Sequence, residues 1–262
     1  MPVFVSAFVK LAAGGAFLLA APATARIASL NLCTDELLLH LAPADRIASL
    51  SHLSHSPHEA STWREARRHP ANDGSILGVA RYRPKIILTM GGGGKDAERL
   101  ARAIGAQLVT LPFSESLDDV VAAARQVANL SGNRPTGERF AGRLQTLIRT
   151  APPPRPAVFL SGAGDVQAPG SLGAQWLRLA GYAAPASTPA RVSLEHLLLR
   201  PAPLMIRSNY RANQISANTR WQRHPAWTRL RRTPTLATDG RRWTCMGPSL
   251  VPEILRLRRV RW

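Results

Sequence analysis

The clearest structural pattern in the chain lies between Arg26 and Leu50, where the sequence reads RIASLNLCTDELLLHLAPADRIASL. Two short apolar runs, Ile27 to Leu30 and Ile47 to Leu50, have the length and the bounded ends of buried strands. The segment between them predicts a helix over Asp35 to Leu41, with Thr34 as its N-terminal cap. The order strand, helix, strand predicts a βαβ opening.

The same alternation continues along the chain. Further predicted strands are Ile86 to Met90, Gln107 to Leu111, Ala157 to Leu160, Leu204 to Ile206 and Thr235 to Thr238; predicted helices are Asp96 to Ile104, Leu172 to Leu179 and Pro248 to Leu257. A helical pattern that breaks at Ser131 to Pro135 separates the two sets. We therefore predict an α/β protein with two Rossmann-like lobes (26–115 and 153–262), joined by a long backbone helix in a helical linker (116–152). Ligands of open α/β sheets bind beyond the strands' carboxyl ends, which places a ligand cleft between the lobes.

Residues 1–25 have the pattern of a secretory signal peptide. Lys10 provides a positive flank, Leu11 to Ala21 an apolar stretch, and Ala23-Thr24-Ala25 small residues for cleavage. No later segment has membrane-spanning length. We expect a cleaved signal and a periplasmic protein.

The formal net charge is +18, and most of the excess is arginine. Such a field attracts anions in general. The chain has no recognised nucleic-acid motif, so we expect no specific nucleic-acid partner and favour anionic chelates, lipopolysaccharide phosphates or acidic partners. It also lacks a Gly-x-Ser-x-Gly elbow, an HExxH motif and paired CxxC motifs, so we do not expect an enzyme.

Several phrases of the sequence, in order and spacing, resemble one family. They are Arg26 to Leu39, Arg46 to Ser51, Arg83-Pro84-Lys85 before Ile86 to Thr89, Ser116 to Val120, Val192 to Leu198 and Trp243 to Pro248. Together they resemble the helical-backbone (class III) periplasmic substrate-binding proteins of ABC importers, of the type that binds vitamin B12 or ferric siderophores. The resemblance implies a monomer without intrinsic cofactor that captures an iron-siderophore, cobalamin or haem-like metal complex and presents it to an inner-membrane permease.

The resemblance also implies an acidic docking residue on each lobe. Glu195 matches the second-lobe position. The first-lobe position falls near Leu77 and Gly78, and Lys85 replaces the usual aspartate after Pro84. Docking through Glu195 is therefore expected, without a matching first-lobe acid.

Six side chains are candidates for ligand contact. Trp243 lies in a loop that resembles a ligand-contacting loop of the B12-binding relatives; Tyr210 follows a predicted strand, and Arg207 and Arg211 flank it with guanidinium groups suited to carboxylates or phosphates. His52 and His55 follow the second strand and are expected at the ligand's polar rim.

Two metal-binding alternatives stay open at the sequence level. His52, His55 and His58 recur every third residue, and neutral imidazoles are common metal ligands. Cys33 and Cys245 are expected to face the cleft from opposite lobes, either as a disulfide or as free thiolates for a soft metal.

Three rival functions also remain. The chain could be a periplasmic accessory or sensor protein of the same fold without its own permease. It could be a basic polyanion-binding protein whose binding falls steeply with salt. A metalloenzyme built on the histidine cluster is the third alternative.

Overall fold

The computed structural model describes residues 25–92, 94–211 and 217–260. The predicted signal peptide therefore lies outside the described residues except for Ala25, and so does Gly93 of the glycine run. Within the described ranges, no helix combines the length and apolarity needed to cross a bilayer.

The first lobe is built on a five-stranded parallel sheet. Its elements are β1 (Ile27–Ser29), α1 (Leu32–Leu41), β2 (Ile47–Ser51), α2 (Trp63–Ala66), β3 (Ala71–Asn72), α3 (Ile76–Val79), β4 (Ile86–Met90), α4 (Ala97–Ala103) and β5 (Gln107–Leu111). The strand order is β3-β2-β1-β4-β5. The predicted βαβ opening is thus present, and the carboxyl ends of all five strands meet at one edge of the sheet.

Helix α1 begins three residues before the predicted start. Asn31 is its N-cap, because the side-chain oxygen accepts a hydrogen bond from the Thr34 amide at 3.1 Å. Thr34 lies inside the first turn instead, and its hydroxyl contacts that of Ser29 at 2.6 Å. Thr34 was therefore wrongly predicted as the cap, since Asn31 is an equally good capping residue one turn earlier.

The lobes are connected by two helices, α5 (Leu117–Leu130) and α6 (Arg134–Arg149), which pack against each other. Ser116 and Asp119 form a capping box at the start of α5. Gly132 has a φ of +74°, a left-handed conformation that permits the reversal between the helices. The predicted break is therefore a tight turn between α5 and the longer helix α6.

The second lobe contains a smaller α/β arrangement. Its elements are β6 (Arg155–Pro156), β7 (Val158–Leu160), α7 (Leu172–Leu179), β8 (Tyr182–Ala183), α8 (Leu194–Leu199), β9 (Met205–Ser208), β10 (Thr235–Thr238), α9 (Arg242–Cys245) and α10 (Leu250–Arg259). The parallel sheets have the orders β10-β9-β7 and β6-β8. The two-lobed α/β prediction is confirmed.

One apolar core passes from lobe to lobe. It includes Leu38 of α1, Val127 of α5 and Leu144 of α6 together with Trp176 of α7 and Ile254 of α10, all of them fully buried. Separate clusters fill the other face of each lobe. Because interiors are close-packed, this shared core limits how far the lobes can move apart.

Candidate functional site

A cavity of about 580 Å³ lies between the lobes. Its first-lobe lining comprises Cys33, Met90, Phe113, Ser114 and Glu115; its second-lobe lining comprises Gln167, Gly170, Ser171, Leu172, Gly173, Thr244, Cys245 and Met246. Met90 is the last residue of β4, and Phe113 comes just after β5. The cavity thus occupies the predicted cleft beyond the carboxyl ends of the first-lobe strands.

Phe113 presents an aromatic side chain to this cavity. It is 68 % exposed, although large apolar side chains are usually covered. Gly91, with a φ of +79°, lies directly under the ring, and a β-carbon there would collide with it. The glycine therefore permits both the turn after β4 and the close approach of Phe113.

Met246 lines the opposite wall and has an unusual backbone. Its φ is +51°, in the left-handed region that non-glycine residues rarely adopt. Its carbonyl accepts a hydrogen bond from Trp176 Nε1 at 2.9 Å, and the preceding residue, Cys245, is covalently anchored. Contacts on both sides thus hold the strained residue beside the cavity.

Cys33 and Cys245 are joined by a disulfide, with a Cα–Cα distance of 5.1 Å. The bond connects α1 of the first lobe with α9 of the second and forms part of the cavity wall. Of the two alternatives left open by the sequence, the structure contains the disulfide. The bond ties the lobes together beside the cavity.

Glu36, three residues after Cys33 in the first lobe, also contacts the second lobe. Its Oε1 accepts a hydrogen bond from the Ser249 amide at 3.1 Å, just before α10 begins. Burial raises the pKa of Glu36 to about 7, although this hydrogen bond and the charge of Arg242 partly offset the effect. A buried carboxylate and a disulfide therefore join the lobes side by side.

A second group of contacts between the lobes centres on Glu59. Tyr210 Oη donates to Glu59 Oε2 at 2.6 Å, and Arg211 Nη2 lies 2.6 Å from Glu59 Oε1. Burial acts to raise the pKa of Glu59, but hydrogen bonds from Arg211 and Tyr210 outweigh it and hold the pKa below its usual value. Arg241 Nη1 also donates to the Pro57 carbonyl at 2.7 Å. Tyr210 and Arg211 were predicted to contact the ligand, but both contact Glu59 of the first lobe, and neither is among the residues described as lining the cavity.

Arg207 contacts its own lobe. It donates to Gln222 Oε1 at 2.9 Å, and its guanidinium carbon lies 5.3 Å from the centre of the Trp227 ring. Among the described residues that line the cavity, none is an arginine. The positive charge expected in the cleft is therefore absent from this lining, which carries the carboxylate of Glu115 instead.

Trp243 is a core residue, and its prediction as a cleft wall needs correction. Only 5 % of it is exposed. Its ring packs 4.8 Å from that of Phe159, and its Nε1 donates to Thr238 Oγ1 at 2.8 Å. Its partners are therefore inside the second lobe, and its neighbours Thr244 to Met246 reach the cavity.

The structure does not bring the three loop histidines together around a metal. His55 directs Nδ1 to the Ser51 carbonyl at 3.2 Å and Nε2 to the His69 carbonyl at 3.0 Å, so both ring nitrogens have backbone partners. His52 and His58 are exposed. In the described part of the chain, no three His, Cys, Asp or Glu side chains converge to hold a metal ion. These histidines are also not among the described lining residues.

Hydrogen bonds to the buried carboxylate of Asp35 hold the loop that carries the three histidines. This carboxylate accepts hydrogen bonds from the Ser51 amide at 3.1 Å and from the hydroxyls of Ser51 and Ser54. Burial raises the pKa of Asp35 to about 6 against these hydrogen bonds. Asp35 and His55 therefore have structural roles in this loop.

Glu195 is exposed in the first turn of α8, which Ser193 caps. On the first lobe, Leu77 is 65 % exposed and Gly78 has no side chain. The carboxylate of Asp73 lies where a β-carbon of Gly78 would be. Hydrogen bonds from Ser75 hold the pKa of Asp73 below its usual value, so the group stays charged. The carboxylate of Asp73 thus lies at the first-lobe position where the sequence resemblance found no acidic residue.

Sequence reasoning missed most of the cavity lining, including Met90, Phe113, Gln167, Thr244 and Met246. Met90 and Phe113 could have been found from the rule that ligands lie beyond the strands' carboxyl ends, because they end or follow predicted strands. Thr244 and Met246 lie in the loop that the sequence resemblance marked through Trp243, but tertiary contacts decide which of its side chains line the cavity.

The architecture of the chain corresponds to a known fold. Two α/β lobes, a helical connection and a cavity between the lobes form the fold of the helical-backbone (class III) periplasmic binding proteins, as the sequence resemblance implied. No protein-family model and no curated protein matches the chain.

Solved structures show which proteins share this fold. The periplasmic heme-binding protein RhuT from Roseiflexus sp. RS-1, in apo form, is 19 % identical, with a TM-score of 0.67 over 90 % of this chain and 97 % of that one. The periplasmic heme-binding protein HutB of Vibrio cholerae is 17 % identical, with a TM-score of 0.67 over 90 % and 98 %. The periplasmic vitamin B12-binding protein BtuF of Vibrio cholerae is 18 % identical, with a TM-score of 0.59 over 89 % and 94 %. At this identity the likeness concerns the fold.

Proposed function

We propose that the protein is a periplasmic solute-binding component of an ABC importer, and that it captures a metal complex in the cavity between its lobes. The observation that carries the proposal is the cavity itself, which both lobes line and whose volume of about 580 Å³ is in the range of small-molecule sites. The names of the structural neighbours, which bind heme or vitamin B12, support this class of cargo.

The lining suits a broad apolar ligand with polar edges. Phe113 offers an exposed ring for stacking, and the thioethers of Met90 and Met246 are polarizable groups that adapt to flat surfaces. Gln167, Ser171 and Thr244 provide hydrogen-bonding groups. This lining fits the face and rim of a corrinoid, a haem-like macrocycle or a ferric siderophore.

The charge of the cavity narrows the choice of cargo. Glu115 is the charged side chain among the described lining residues, and no arginine offsets it. A carboxylate on the ligand would have no cationic partner there, whereas amide or hydroxyl groups would match Gln167 and Thr244. We therefore favour chelates with an uncharged rim, such as cobalamin or a neutral ferric siderophore, over polycarboxylate ligands.

Delivery to a permease completes the proposed role. Glu195 on α8 and Asp73 before α3 are exposed carboxylates on the two lobes. Asp73 occupies the place of the missing Gly78 side chain and supplies the first-lobe charge. The accessory or sensor alternative predicts that these two charges have no docking role.

Titration of the purified protein with cyanocobalamin, haemin, neutral ferric siderophores and carboxylate siderophores tests the cargo, with thermal shift and calorimetry as readouts. We expect one neutral-rimmed chelate to bind and Phe113→Ala to weaken it about tenfold, because the variant loses a stacking surface. Leu199→Ala is the matched control, since Leu199 is 75 % exposed on α8 and is not among the described lining residues. Absence of binding across the panel, or equal affinity in Phe113→Ala, would refute the proposed site.

A further inference from the structure

The second lobe carries a stretch of charge of one sign. Every formally charged side chain from His196 to Thr238 is an arginine, and the nearest carboxylates along the chain are Glu195 and Asp239. The density is greatest in two 3-10 helices, Ala217–Arg223 and Pro225–Arg232. A local concentration of this kind is distinct from the overall positive charge of the protein.

Four of these arginines form what we call the arginine surface: Arg220, Arg223, Arg229 and Arg232. All four are exposed. Within the described ranges, none of them forms an ion pair, whereas Arg211, Arg241 and Arg256 are paired with carboxylates. The charge of the arginine surface is therefore uncompensated within the described part of the protein.

The segment beneath these arginines is anchored to the lobe. Trp221 and Trp227 pack edge to face with ring centres 5.1 Å apart, and Trp221 Nε1 donates to the Gly162 carbonyl at 3.3 Å. Leu230 is 4 % exposed and belongs to the core of the second lobe. The backbone that carries the four charges is thus held in place, and less order must be created when a partner binds.

The same contacts weigh against single-stranded nucleic acid as the partner. Such binding uses exposed aromatic faces on which bases stack. Here both tryptophans are half-buried and pack against each other, and the Arg207 guanidinium covers Trp227. The exposed groups are guanidiniums without a stacking platform, a pattern that suits a sheet of phosphate groups.

We propose that the arginine surface binds the anionic phospholipid headgroups of a membrane. Each arginine close to an anionic bilayer strengthens partitioning about fivefold. Helix α8, which carries Glu195, packs against the helix Pro225–Arg232. The proposed function has Glu195 on α8 bind a permease. In that case the arginine surface, which lies next to α8, would contact the lipid around the permease. The lipid contact itself does not depend on the permease.

The test is co-sedimentation of the full chain with vesicles of phosphatidylcholine alone and of phosphatidylglycerol mixed with phosphatidylcholine, at low and physiological salt. The variant Arg220→Gln/Arg223→Gln/Arg229→Gln/Arg232→Gln removes the arginine surface. The matched control Arg134→Gln/Arg139→Gln/Arg143→Gln/Arg149→Gln removes the same charge from exposed positions on α6. Circular dichroism verifies that both variants fold.

We expect salt-sensitive binding to the phosphatidylglycerol vesicles alone, weakened more than about tenfold in the first variant and less than about threefold in the control. If vesicle binding weakened equally in the two variants, it would depend only on the net charge of the protein, and the proposal would be overturned. Tighter binding to heparin or DNA than to vesicles, with the same dependence on the four arginines, would overturn it in favour of a soluble polyanion. Cargo affinity of the first variant should be unchanged, so failure here is separate from failure of the proposed function.

Discussion

Glu36 is a carboxylate that the fold buries between the two lobes. It lies next to Gly247, where a β-carbon would come within 2.6 Å of its Oε1, so this close contact requires glycine. Burial of a charge without an ion-pairing partner costs free energy, and here the cost is reduced when the carboxyl is protonated.

Glu36 should make the free energy of unfolding depend on pH. Its pKa is raised from 4.5 to about 7 in the folded protein, so the folded state holds a proton that the unfolded state releases between these values. Its contribution to stability therefore falls as the pH rises from about 4.5 to 7. Glu36→Gln keeps an acceptor for the Ser249 amide without a charge, and above pH 7 it should stabilise the protein by on the order of 3 kcal/mol.

Urea unfolding of the parent and of Glu36→Gln across this pH range measures the difference, which should vanish near pH 4.5. Glu195→Gln is the control, because Glu195 is exposed. A difference that stays constant with pH would show that Glu36 is charged in both states.

The sequence also led to wrong predictions about the burial of individual side chains. Trp243 and Phe113 are both aromatic residues near strand ends, yet Trp243 is in the core and Phe113 is 68 % exposed at the cavity. Sequence pattern does not reveal which way a side chain in a short turn points. Here Gly91 leaves space for Phe113, whereas Thr238 and Phe159 hold Trp243 inside.

At the level of elements, the short helix α9 depends on its connection to α1. The disulfide between Cys33 and Cys245 closes a loop over a sequence separation of 212 residues. Cross-links that close long loops restrict the unfolded chain most strongly. The bond also fixes the turn at Met246, which contributes to the cavity wall.

Replacement of both cysteines, Cys33→Ser/Cys245→Ser, should lower the free energy of unfolding by about 3–5 kcal/mol. Guanidinium unfolding measures this loss. A reductant should destabilise the parent by a similar amount and leave the double variant unaffected, since the chain has no other cysteines. Equal stability of parent and variant would mean that the disulfide contributes nothing to the stability of the folded protein.

Across the whole molecule, the lobes are joined on several sides. The apolar core, the disulfide and the Glu59 contacts all cross the boundary. A cleft restrained in this way is preformed, and a ligand that enters it need not drive a large closure.

The proposed docking to a permease would depend on this fixed arrangement, because it uses one carboxylate on each lobe at a set distance. We expect Asp73→Asn and Glu195→Gln each to weaken binding to the partner permease about tenfold while cargo affinity is unchanged. Surface plasmon resonance with the reconstituted permease measures the effect. Glu98→Gln is the control, since Glu98 is an exposed first-lobe acid paired with Arg102. Unchanged docking in both test variants would support the accessory or sensor alternative.

The sequence by itself determined the βαβ opening, the two α/β sets and the helical stretch between them, because strand and helix periodicities are local properties. It also placed Cys33 and Cys245 at the cleft. Only the tertiary structure decided that these cysteines are bonded, that Tyr210 and Arg211 hold Glu59, and that Phe113 and Met246 line the cavity. These outcomes depend on contacts between residues far apart in sequence, and such contacts cannot be predicted from the local sequence around each residue.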